Sequence, residues 1–132
     1  MPAPERNVIS VEVENRSGVE VDEDGAVELA GRVLRAEGME DGELGIAFVG
    51  SDEMRTLKHE HLGLDEPTDV LSFPIDGREE LPAGVPRAFG DVVLCPQVVG
   101  PEWRWPLTHG LLHLLGYEHG PEMTAREEEL VG

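Results

Sequence analysis

The sequence predicts an α+β fold: a small mixed β-sheet packed against several helices, with a metal site at a histidine helix and the turn after it. Three observations lead there. Short runs rich in β-branched residues alternate with segments of helical period, in the order strand, helix, strand, helix, strand, strand, helix. The 132 residues contain no internal repeat, low-complexity tract or linker, so one domain is expected over residues 1–132. Three of the five histidines fall within eleven residues near the end.

Each element has its own signature. Residues 7–14, NVISVEVE, alternate apolar and polar with Val8, Val11 and Val13 among them, the pattern of a half-buried strand. Acids at 22–24 then open a stretch in which Ala26, Leu29, Ala30, Val33 and Leu34 recur at helical spacing, and Gly38 supplies a stop. Leu44–Val49 is a short apolar run between glycines and reads as a strand. Ser51 is the expected N-cap of the next helix, followed by Asp52 and Glu53, and Gly63 its expected end. DVLSF at 69–73 and DVVLC at 91–95 are strands closed by Pro74 and Pro96. The Gly-, Pro- and charge-rich stretch at 76–88 between them is a surface loop. Pro106 suits the first turn of an apolar helix through Leu115, and the acidic tail ends in a short helix. Trp103 and Trp105 are expected to cover the core beside that helix.

Charge and cysteine usage narrow the function classes. Asp and Glu number 28 against 10 Lys and Arg, a net charge of −18. A broad basic face for wrapping nucleic acid is thereby excluded, as is adsorption to an anionic membrane. Cys95 stands alone, so no internal disulfide and no CxxC knuckle exist. Nothing approaches the roughly 20 apolar residues of a membrane span. The expectation is a soluble, cytoplasmic protein with no membrane and no DNA partner.

The chemistry sits in His109-Gly-Leu-Leu-His113-Leu-Leu-Gly-Tyr-Glu-His119. His109 and His113 are four apart and share one helix face, close enough for two imidazoles to bind one ion. Gly116 can take the left-handed conformation that ends a helix and lets His119 swing back. A tetrahedral ion needs donors from different directions, which a straight helix cannot supply. The expectation is one divalent metal ion, zinc first, held by His109, His113 and His119 with an open fourth position. The spacing resembles the metzincin protease motif, but the glutamate that follows the first histidine there is Gly110 here. Glycine cannot take a proton from water, which counts against a zinc-dependent peptidase.

HGLLHLLGYEH is similar to the HGxLHLxGYDH motif of the YbeY-type endoribonucleases, the rRNA maturation factors. Pro67–Pro74, PTDVLSFP, and Gly90–Pro96, GDVVLCP, resemble two further blocks of that family in the same order. The resemblance implies a metal-dependent, single-strand-specific endoribonuclease that matures the 3′ end of small-subunit ribosomal RNA and serves ribosome quality control. Its partners would be single-stranded RNA and the ribosome. It implies zinc on His109, His113 and His119.

The sequence departs from the family twice. A family arginine thought to engage RNA phosphate falls at Leu62. Arg55 and Lys58 share a helical stripe with Leu62 and are the candidate RNA-binding residues in its place. The segment before the histidine helix is also short, Gln97–Thr108. No general acid or base is assigned: Glu118 reads most simply as solvated, and Asp69 and Ser72 as supports from a neighbouring strand. His59 and His61 are read as non-ligands. A non-catalytic, zinc-containing ribosome-assembly factor stays open as the alternative. Residues 54–119 carry a net charge of −5 and the remaining residues −13, so the acidity is concentrated away from the motif blocks.

Overall fold

The structure is a computed structural model and describes residues 8–61 and 70–131. The described residues form β1 (Ile9–Asn15), α1 (Glu23–Ala36), β2 (Gly42–Phe48), α2 (Ser51–Glu60), β3 (Val70–Pro74), β4 (Ala88–Leu94), α3 (Pro96–Val99), α4 (Arg104–Leu114) and α5 (Pro121–Val131), in that order. The sheet order is β1-β2-β4-β3. β1 runs parallel to β2 and β2 parallel to β4, while β3 is antiparallel to β4, so the sheet is mixed as expected.

Strand alternation divides the sheet into two faces. Ile9, Val11 and Val13 of β1, Leu44, Ile46 and Phe48 of β2, Val70 of β3 and Val92 and Leu94 of β4 join the main core with α1, α4 and α5. Val8 lies outside that face and is exposed, because the alternation that buries Ile9, Val11 and Val13 places it on the other side. The opposite face of β3 and β4 carries a smaller cluster. There Met54 and Leu57 of α2 meet Leu71, Phe73 and Val93. α2 and α4 thus lie on opposite sides of the sheet.

The helix ends follow their local chemistry. Asp22 caps α1 by accepting a hydrogen bond from the Gly25 N–H at 2.9 Å. Gly38 ends it with paired bonds, Gly38 N–H to the Arg35 carbonyl and Met39 N–H to that of Leu34. Ser51 is not the N-cap of α2. Gly50 holds that position, and the Ser51 hydroxyl instead donates to Gln97 Oε1 at 2.9 Å. The short stretch before the histidine helix folds one turn, α3, that the sequence did not announce. Trp103 is buried as expected, but Trp105 on α4 is exposed. Helical rotation puts these two neighbouring positions on different sides of the chain.

Candidate metal centre

α4 is pressed onto the sheet at one point. A Cβ at Gly110 would stand 2.7 Å from Val92 Cγ1, 3.1 Å from Ser72 Oγ and 3.2 Å from Val70 Cγ2. Only glycine allows that approach, and Ser72 fixes it by donating to the Gly110 carbonyl at 2.9 Å. The supporting role read for Ser72 is thus a hydrogen bond that holds the histidine helix. With Gly110 turned into the sheet, the flanking His109 and His113 are left on the half-buried outer side. The position used by a protease glutamate is therefore occupied by packing. An acid there would be driven into Val92 and Ser72.

The turn after α4 returns the third histidine. Gly116 has φ +97°, and its N–H bonds to the His113 carbonyl while the Tyr117 N–H bonds to that of Leu112, each at 3.0 Å. This paired closure is the left-handed helix stop that the glycine suggested. It leaves the Tyr117 carbonyl 3.0 Å from His113 Nδ1.

The three Nε2 atoms converge. His109 stands 3.1 Å from both His113 and His119, and His113 stands 2.8 Å from His119. Donors about 2.0–2.1 Å from a tetrahedral zinc would be about 3.3 Å apart, so the triangle is close to the size a metal needs. The outer nitrogens argue the same way. A carbonyl can only accept, so His113 Nδ1 carries its proton toward Tyr117. His109 Nδ1 faces Glu127 Oε1 at 3.3 Å, and an ionised carboxylate likewise accepts only. In neutral imidazoles, both Nε2 atoms then present bare lone pairs to one another. A single N–H from His119 can serve one of them at a time, whereas a cation satisfies all three. The donor set could hold a metal ion.

No fourth histidine, cysteine or carboxylate joins this group among the described residues. Cys95 is fully buried in the smaller cluster, near Ser51 and Gln97. His61 sets its ring edge-on against Phe73 with centroids 4.7 Å apart, and His59 is exposed. Glu118 is exposed, in keeping with a solvated acid. His119 is exposed and forms one wall of an open cleft of about 670 Å³, also bordered by Glu37, Arg78, Tyr117 and Glu122. His109 and His113 lie behind it, half-buried, and are not among the residues that border the cleft.

A buried carboxylate anchors the turn. Glu37, at the end of α1, is only 4% exposed in its side chain. Arg78 Nη2 donates to its Oε1 and Arg126 Nε to its Oε2, each at 2.5 Å, and the Tyr117 hydroxyl donates to Oε2 at 3.1 Å. Burial alone would raise the Glu37 pKa, but the bonds from Arg126, Tyr117 and Arg78 outweigh it and hold the carboxyl below its ordinary value. Burial, reinforced by Glu37, pushes the Tyr117 phenol up. Arg78 Nε also reaches the Leu115 carbonyl at 3.2 Å, so α1, the β3–β4 loop, the turn and α5 meet at one point.

The structure does not bring Arg55 and Lys58 to the histidines. Both lie on α2, across the sheet, with Arg55 exposed and paired with Asp52 at 3.2 Å. Leu62 and Asp69 lie outside the described residues. The sequence reading missed Glu127 and Glu37. Neither lies in a motif, and nothing local marks a carboxylate whose partner is far along the chain.

The family model for endoribonuclease YbeY matches residues 11–131. Relatives carrying that name include one from Salinispora tropica, 35% identical over 90% of this chain and 88% of its own length. Another, from Micrococcus luteus, is 40% identical over 91% of this chain and 85% of its own length. The solution structure of TM1509 from Thermotoga maritima shares the fold, with a TM-score of 0.54 and 23% identity over 92% of this chain and 86% of that one. With the family model matching almost the full length and relatives of that name 35% and 40% identical over nine-tenths of it, the chain belongs to the endoribonuclease YbeY family.

Proposed function

We propose that this protein is a metal-dependent endoribonuclease that cuts single-stranded RNA, with His109, His113 and His119 holding one divalent ion. The observation that carries the reading is the convergence of three Nε2 atoms, with His109 Nδ1 facing Glu127 and His113 Nδ1 facing the Tyr117 carbonyl. Three imidazole nitrogens at near-tetrahedral spacing favour zinc. Bound there, the ion would supply Lewis acidity to a phosphodiester. The chain's own part is to hold the three rings, present His119 to the cleft, and keep Gly110 packed so that no side chain intrudes.

The substrate in this reading is the 3′ end of the small-subunit ribosomal RNA precursor, in the cytoplasm, reached with help from the ribosome. Arg55 and Lys58 contact the phosphate backbone away from the scissile bond. Among the described residues β3 is an edge strand, and RNA bound at the histidines would reach α2 by passing over that edge. The exposed Arg55–Asp52 pair is worth little and yields readily to a phosphate. Weak affinity for free RNA follows from the net charge of −18.

Incubation of the purified protein with single-stranded RNA, with and without chelator, tests the proposal. Cleavage should stop with chelator and return with added metal. It should be absent in His113→Ala, whose metal-free melting is checked against wild type. Intact RNA binding without cleavage under any divalent metal would leave the non-catalytic assembly factor as the better reading.

A further inference from the structure

We infer that Glu127 is a positioning residue for His109: its carboxylate on α5 fixes the ring's tautomer and orientation so that Nε2 faces the other two histidines. This rests on the metal-site reading above. The two side chains are 18 positions apart, on different helices, and meet at 3.3 Å with side-chain exposures of 16% and 19%. The three rings are supported differently. His113 leans on a backbone carbonyl that the closure at Gly116 fixes, so no substitution removes its acceptor. His109 sits inside α4, where the backbone carbonyls serve the helix, and its outer nitrogen meets a side chain from elsewhere. A carboxylate that accepts from a ligand's distal N–H both orients the ring and raises its basicity as a donor.

Glu127 reaches His109 because its neighbour holds the helix. Arg126 binds Glu37 and donates to the Ala36 carbonyl at 2.9 Å, while Met123 of α5 enters the main core. Glu128, the next residue, is exposed and carries the same charge. It is therefore an internal control for electrostatics without contact.

Zinc and cobalt affinity of the intact chain, measured by competition with a chromophoric chelator, reads the assignment without reference to activity. Glu127→Ala should bind about 10–100-fold more weakly. Glu127→Gln, which keeps an acceptor but no charge, should fall between that variant and wild type. Glu128→Ala should match wild type. Equal affinities in Glu127→Ala and wild type would overturn the inference, as would an equal loss in Glu128→Ala. If Glu127→Ala fails to fold without metal, Glu127→Gln carries the comparison. Should wild type bind no metal, the reading of the site fails on its own. Nitrogen NMR of the metal-free protein then decides the pairing: an Nδ1–H tautomer at His109 that becomes mixed in Glu127→Gln supports it, and an unchanged tautomer refutes it.

Discussion

Gly110 shows how one residue separates two chemistries. In the sequence it is a missing acid, and in the structure it is the contact through which α4 seats on β3 and β4. Gly110→Ala should destabilise the fold by about 1–3 kcal/mol, since the new methyl meets Val92 and Val70 in a close-packed region. The loss should appear as a lower urea midpoint with an unchanged slope. The histidine motif was legible for a physical reason: its three rings are brought together by local rules of helical period and glycine closure. Glu127 obeys no such rule. Its role exists only once α5 is docked, so an acidic tail of Glu127, Glu128 and Glu129 gave no means of telling the three apart.

At the level of elements, the strands and the longer helices were readable because each buries one face of a regular pattern. The errors fell where tertiary contact overrides a local preference. Ser51 had the chemistry of a cap, but Gln97 of α3, just past the end of β4, supplies its partner. The turn of α3 is too short to show a period. The junction at Glu37 was equally hidden, because its partners Arg78 and Arg126 lie 41 and 89 positions away. That junction predicts a pH dependence. Glu37 has its pKa lowered from 4.5 in the folded state, so it stabilises the fold above that value and the gain is lost as pH falls through the folded value. Glu37→Gln should cost about 2 kcal/mol at pH 7, in line with hydrogen bonds to charged groups. The gap from wild type in urea midpoint should narrow as the pH drops below 4.5.

For the molecule as a whole, the charge sets how RNA can be held. The family resemblance was legible across nearly the full length, yet no basic surface accompanies it: 10 basic residues face 28 acidic ones. With Arg55 and Lys58 as the phosphate contacts, log affinity for single-stranded RNA against log salt should have a shallow slope of about −1.4, from about −0.7 per contact. Filter binding across salt concentrations measures it, and Arg55→Ala should reduce the slope by about half while leaving metal affinity intact. A slope several times steeper would place the contacts elsewhere. The way α5 is docked bears on dynamics too. Its attachment rests on Met123, a partly buried Leu130 and the polar bonds of Arg126 and Glu127, whereas α4 buries Leu107, Leu111, Leu112 and Leu114 in the core. An element held that way belongs to the part of a protein that opens at the lowest free energy. Release of α5 with α4 still folded would withdraw the carboxylate behind His109, so the lifetime of the assembled histidine site would follow the docking of α5 and not global unfolding.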